Sequence, residues 1–196
     1  LPVGSSMRHW LLYLLLIPCL ALAQPEQSRQ YRRMVTTIAR EQMGLNAPVA
    51  MFASQIHQES AWRSSARSRA GALGLAQFMP GTARWIATMV GHGDPLNPAW
   101  AIEAMVAYDL WLYDRAYPYE DLCSRWAFSL SAYNGGEKWV RKRQSMSWAP
   151  GSYAVTGYIN PGITAANQRE NEKYGPEIMA RQPLYAEWGP MVDCEG

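Results

Sequence analysis

Apolar residues recur along this chain at steps of three and four, and between clusters of Gly and Pro the pattern is helical rather than the two-residue alternation of strands. It predicts helices over residues 28–43, 47–60, 80–90, 98–116, 121–134 and 167–181. The second is the most telling. Asn46 is its expected N-cap and Pro48 falls in the first turn, where a missing N–H costs nothing. Val49, Phe52, Ala53 and Ile56 then define one buried stripe, and a further step of three lands on Glu59. Polar Ser54, Gln55 and Gln58 take the other faces. The fourth helix opens with Asn97 as cap and Pro98 in the first turn, and from Ala99 to Tyr113 carries only Glu103 and Asp109 as charges. A helix so apolar all round belongs at the centre of a domain. The stretch 145–165, rich in Gly, Pro and Ser and holding Trp148, Tyr153 and Tyr158, reads as a surface or cleft-lining coil. The expectation is an all-helical domain with no internal repeat.

Glu59 changes the picture from fold to chemistry. It interrupts an apolar stripe at the C-terminal end of a helix, where burial and the helix dipole both disfavour negative charge and raise a carboxyl pKa. A carboxyl that stays protonated near neutral pH is what a general acid needs. The competing reading is a glutamate that reaches the rim to meet Arg63, Arg67 or Arg69. Periodicity leaves the two open.

Length and composition narrow the setting. The 196 residues suit one domain with a sizeable core. Residues 1–23 read as a leader: an upstream remnant, a basic Met7-Arg8-His9, an apolar run from Trp10 through Leu22, and an Ala21-Leu22-Ala23 cleavage pattern. That assigns residues 24–196 to the folded domain and predicts a periplasmic or secreted protein cut near Ala23. The alternative is tethering through an uncleaved N-terminal segment, although the apolar run is shorter than the roughly 20 residues that span a bilayer. Without the leader the chain has 17 basic and 16 acidic side chains, which gives no field for nucleic acid. The cluster Arg141-Lys142-Arg143, just past a predicted helix end, reads as a solvated face, contact with an anionic polymer being the alternative. Cys123 and Cys194 are the cysteines outside the leader. In an oxidising compartment they are expected to form a disulfide that closes a loop of about 70 residues, two free thiols being the alternative.

Tryptophan and tyrosine, nine and eleven against three Phe, suit a carbohydrate-lined groove as well as a core edge. Metal chemistry lacks ligands: His57-Gln58-Glu59 matches half of a zinc deaminase signature, but no Pro-Cys-x-x-Cys follows. No phosphate loop, dinucleotide fingerprint or nucleophile elbow is present. The expectation is an enzyme with no cofactor and no metal.

The stronger signal is a set of short motifs in order. Glu59-Ser60 is followed by Gly74-Leu75-Ala76-Gln77, Pro80-Gly81-Thr82-Ala83, Asp94-Pro95-Leu96-Asn97-Pro98, Ala132-Tyr133-Asn134-Gly135-Gly136 and Arg169-Glu170-Asn171-Glu172-Lys173-Tyr174. Over residues 35–182 the chain resembles the soluble lytic transglycosylase family, with its goose-type lysozyme-like fold, and most of all the single-domain phage and prophage versions. The resemblance implies that Glu59 is the catalytic acid and base, with Ser60 its partner. It also implies that Gln77 lines the groove, that Tyr133 and Asn134 lie near the scissile bond, and that Tyr174 and Glu170 close the site from the C-terminal helix. The family usually has methionine where this chain has Ala76, a departure that makes the groove floor smaller and that Met79 can refill. The implied reaction cleaves the bond between N-acetylmuramic acid and N-acetylglucosamine and leaves a 1,6-anhydro sugar. Its partner is the peptidoglycan glycan strand, worked on by a monomer with no nucleic acid and no stable membrane anchor.

The residues themselves favour one-carboxylate chemistry. Ordinary glycosidases pair two carboxyl groups, and from Ser60 through Gly93 there is no Asp or Glu. The alternatives are a peptidoglycan hydrolase that uses water, its second carboxylate at Asp94 or beyond, and a non-catalytic murein-binding or virion module.

Overall fold

The structure is a computed structural model that describes residues 24–115 and 117–194; the leader read at residues 1–23 lies outside the described residues. The elements are α1 (Arg32–Met43), α2 (Val49–Ser60), α3 (Pro80–Val90), α4 (Pro98–Tyr113), α5 (Leu122–Gly135), α6 (Glu137–Met146), α7 (Tyr153–Thr156) and α8 (Ala165–Arg181). Short 3₁₀ turns, Glu26–Tyr31 and Gln182–Trp188, flank the set. Among the described residues there is no strand, only isolated bridges that pin Leu73 to Arg67 and to Phe78.

Helix α2 is the axis of the molecule. Every residue from Val49 to Ile56 is buried, and α2 packs against the Gln182–Trp188 turn, α8 and α1. Ser54 and Gln55, expected on outer faces, are therefore fully buried. The expected Asn46 cap is not used. Pro48 stands at the N-cap with no side-chain bond, and the first-turn N–H of Ala50 donates instead to the carbonyl of Pro190 at 3.1 Å. A segment distant in sequence satisfies an orphan donor that a local cap usually takes.

The tail that supplies this carbonyl is itself held. The Val192 N–H donates to Gln182 Oε1 at 2.7 Å. Cys194 is joined to Cys123 near the start of α5, with Cα atoms 5.3 Å apart.

Three helices start at caps from their own local sequence, the Asn97 cap as expected and α8 two residues earlier than expected. Asn97 accepts from the N–H groups of Ala99 and Trp100 at the head of α4, Asp121 caps α5 and Thr164 caps α8. The region after α5 departs from expectation. Arg141, Lys142 and Arg143 lie within α6, and Arg143 is buried rather than solvated. Its guanidinium donates to the Ile159 carbonyl at 3.0 Å, to Ser131 Oγ at 3.2 Å, to Gln168 Oε1 at 3.0 Å and to Asn171 Oδ1. The stretch 145–165 contains α7, whose Tyr153 joins a second core cluster with Phe128, Leu112 and Val140.

Candidate active site

The site forms where the C-terminal ends of α2 and α5 meet the loop 61–79, α4 and α8. The end of α2 is fixed by an aromatic box. Trp62 is 1% exposed, stacks on Tyr31 and meets Tyr185 and Trp188. Its Nε1 donates to Tyr185 Oη at 2.7 Å, and that hydroxyl also lies 2.9 Å from His57 Nδ1. Holding Trp62 there puts Ala61 and Trp62 at φ of 48° and 66°, a region L-residues seldom occupy. Gln77 also has a positive φ, 49°. Backbone strain of this kind is sustained by surrounding packing and gathers at functional sites. Gly74 permits the closest approach: a Cβ there would sit 1.9 Å from the Pro95 carbonyl oxygen.

These elements enclose a groove of about 640 Å³. Glu59, Gln77, Met79, Tyr133, Asn134, Glu170 and Tyr174 all line it. Ser60 does not. It is buried, and its hydroxyl turns back to the Ile56 carbonyl at 3.2 Å. Ala76 is likewise buried in the main core and its side chain does not line the groove. Met79 is instead 44% exposed at the groove wall. What Ala76 gives the site is its carbonyl, which accepts from Tyr133 Oη at 2.8 Å. The stretch 145–165 contributes nothing to this groove; Ile163 lines a smaller adjoining pocket of about 220 Å³.

Burial pushes the Glu59 carboxyl up to about 7; a hydrogen bond from Tyr174 pulls it back in part, and the Glu170 charge adds to the rise. The Tyr174 hydroxyl donates to Glu59 Oε1. Tyr133 and Tyr174 stack with ring planes 9° apart, and burial first, then the Glu59 charge, hold both phenols well above their ordinary range. They remain neutral donors. From the same two helices, Asn134 Nδ2 donates to Glu170 Oε1 at 3.1 Å, while Asn134 Oδ1 accepts from Asn171 Nδ2 at 2.8 Å.

Several lining residues escaped sequence reasoning. Tyr108 of α4 lines the groove, its ring 5.2 Å from that of Tyr133; it is one of two tyrosines in a nearly apolar helix, which was the available sign. Phe78 and Thr82 also line it. Glu170 matters beyond its motif, because it brings a second carboxylate into the groove that holds Glu59. Among the described residues no cluster of His, Cys, Asp or Glu could hold a metal ion.

A groove carboxyl raised to about 7, bonded to one of two stacked neutral phenols, is the setting for a family assignment. The transglycosylase SLT domain family matches residues 36–154. The chain belongs to that family. This SLT domain is 34% identical over 104 residues to the soluble lytic murein transglycosylase of Escherichia coli K12, covering 50% of this chain and 15% of that protein. It is 34% identical over 84 residues to the Salmonella typhimurium protein of the same name, covering 43% and 13%. The chain thus spans a small part of the relatives it matches. An inactive mutant of lytic transglycosylase Slt from Pseudomonas aeruginosa superposes with a TM-score of 0.63 at 23% identity, over 83% of this chain and 25% of that one. The SLT domain is all-helical with the lysozyme-like fold.

Proposed function

We propose that this SLT domain is a peptidoglycan lytic transglycosylase, with Glu59 acting first as acid and then as base. Glu59 protonates the glycosidic oxygen between N-acetylmuramic acid and N-acetylglucosamine. It then takes the proton of the muramic acid C6 hydroxyl as that oxygen closes on C1, which leaves a 1,6-anhydro end. An internal nucleophile needs no positioned water. The observation that carries the reading is Glu59 itself, a groove carboxyl pushed up to about 7 by burial and met by the neutral hydroxyl of Tyr174. Kinship with soluble lytic murein transglycosylases supports the same substrate. Gln77, Met79, Tyr133 and Asn134 are assigned to sugar contact and Ser60 to the packing of α2.

In this reading residues 24–196 form the catalytic domain and residues 1–23 the leader, and the protein works in the periplasm or outside the cell. A joined Cys123 and Cys194 supports an oxidising compartment. Among the described residues no helix is long and apolar enough to cross a membrane.

One observation favours a second reading. Glu170 shares the groove with Glu59, so a carboxylate is available to direct water in a hydrolase. Digestion of purified sacculi separates the two. A transglycosylase releases muropeptides lighter by one water than the hydrolase product and takes up no labelled oxygen at C1. Reducing ends that carry heavy oxygen would make the enzyme a hydrolase, with Glu170 its second carboxylate.

A further inference from the structure

One turn back along α2 from Glu59 lies a pair of side chains that the proposed reaction does not use. Gln55 of α2 and Asp109 of α4 are both fully buried, and Gln55 Nε2 donates to Asp109 Oδ1 at 3.2 Å. Two atoms of the pair are left over: Gln55 Oε1 and Asp109 Oδ2 are buried with no hydrogen-bond partner. If Asp109 is ionised, both are orphan acceptors, and a carboxylate with a single donor in an apolar interior is costly. One proton on Oδ2 reverses this. It makes that oxygen a donor, and the acceptor without a donor is the oxygen of the same Gln55 carboxamide.

No cation is among the described groups that act on Asp109; Arg181 of α8, which reaches the α2 backbone next to Gln55, donates to the Ser54 carbonyl at 3.4 Å. The titratable groups coupled to Asp109 are Glu59 from α2, Tyr133 from α5, Tyr174 from α8 and Tyr108 beside it on α4. Helices α1 and α3 turn Arg32, Arg33, Arg40, Glu41 and Arg84 to solvent. We propose that Asp109 keeps its proton, pairs through both oxygens with the Gln55 carboxamide, and thereby restrains that amide from turning toward Glu59. Gln55 and Glu59 are four apart on one helix face, a spacing that brings Cβ atoms to about 5 to 6 Å. A freed amide donates to the ionised form of Glu59 and makes it give up its proton at lower pH. Asp109 is thus a positioning residue that acts through Gln55, and the proposal rests on the reading of Glu59 as the acid.

The test is the pH profile of sacculus solubilisation by the whole chain. Asp109→Asn restores the same two-bond pairing with an amide, so its profile superimposes on that of wild type. Asp109→Leu frees Gln55 and moves the basic limb to lower pH; adding Gln55→Leu returns it. A loss of about 100-fold or more in Asp109→Asn overturns the proposal, because an ionised carboxylate is then needed. So does an unmoved limb in Asp109→Leu. If the leucine variants fail to fold, infrared spectra decide: a protonated-carboxyl band that persists above neutral pH in Glu59→Gln and vanishes in Glu59→Gln/Asp109→Asn is expected, and its absence overturns the assignment. Full activity in Glu59→Gln would instead remove the acid reading, while the infrared band still reports on Asp109.

Discussion

Glu59 gives up its proton more readily in the unfolded chain than in the folded one, because burial lifts it from an ordinary 4.5 to about 7. The folded state therefore holds a proton that the unfolded state releases. The contribution of this group to stability is full below about pH 4.5 and declines as pH rises toward 7. Glu59→Gln is expected to lower sacculus-degrading activity by roughly 10² to 10⁴. Calorimetry of the same variant should find Tm above wild type at neutral pH and equal to it in acid. Tyr174 acts in the opposite sense on the same group, since its hydrogen bond favours the charged carboxylate. Tyr174→Phe should shift the basic limb of the pH–rate profile to higher pH and reduce the rate. A shift to lower pH would mean that the phenol stabilises the protonated form instead.

At the scale of helices, stability and catalysis separate. Asn97 caps α4 and is not among the residues that line the groove, so Asn97→Ala should cost about 1 kcal/mol and lower Tm by about 2 to 4 °C with kcat unchanged. Caps of this sort were legible in the sequence because donor and acceptor lie within three residues. The start of α2 was not, since its partner, Pro190, lies at the far end of the fold. Helix α6 was missed for a related reason. Gly135 and Gly136 read as a stop, and a run of Lys and Arg reads as solvated, yet Gly136 serves as N-cap to α6 while Arg143 finds its acceptors on Asn171 and Gln168 of α8 and at Ile159. The stripe that ends on Glu59 was readable as a period of three and four. That Ser60, the next residue, turns inward was not, because a one-residue step on a helix rotates a side chain through 100°.

For the molecule as a whole, motifs in order named the groove residues, but which side chains share a wall depended on tertiary packing. Tyr108 and Asp109 sit in a helix whose composition says only that it is central, and Glu170 became a neighbour of Glu59 only once α8 folded back on α2 and α5. The tail is a further tertiary feature. A non-reducing peptide map should recover Cys123 and Cys194 as one linked species, and Cys194→Ser should cost about 2 to 4 kcal/mol, read as a lower Tm. Free thiols in exported protein would contradict the bond. Because a ribosome works from the first residue onward, Pro190 and Cys194 emerge after every helix of the groove. Until they do, α2 begins without the carbonyl that satisfies Ala50, so the helix that carries Glu59 is among the first to be made and the last to be completed.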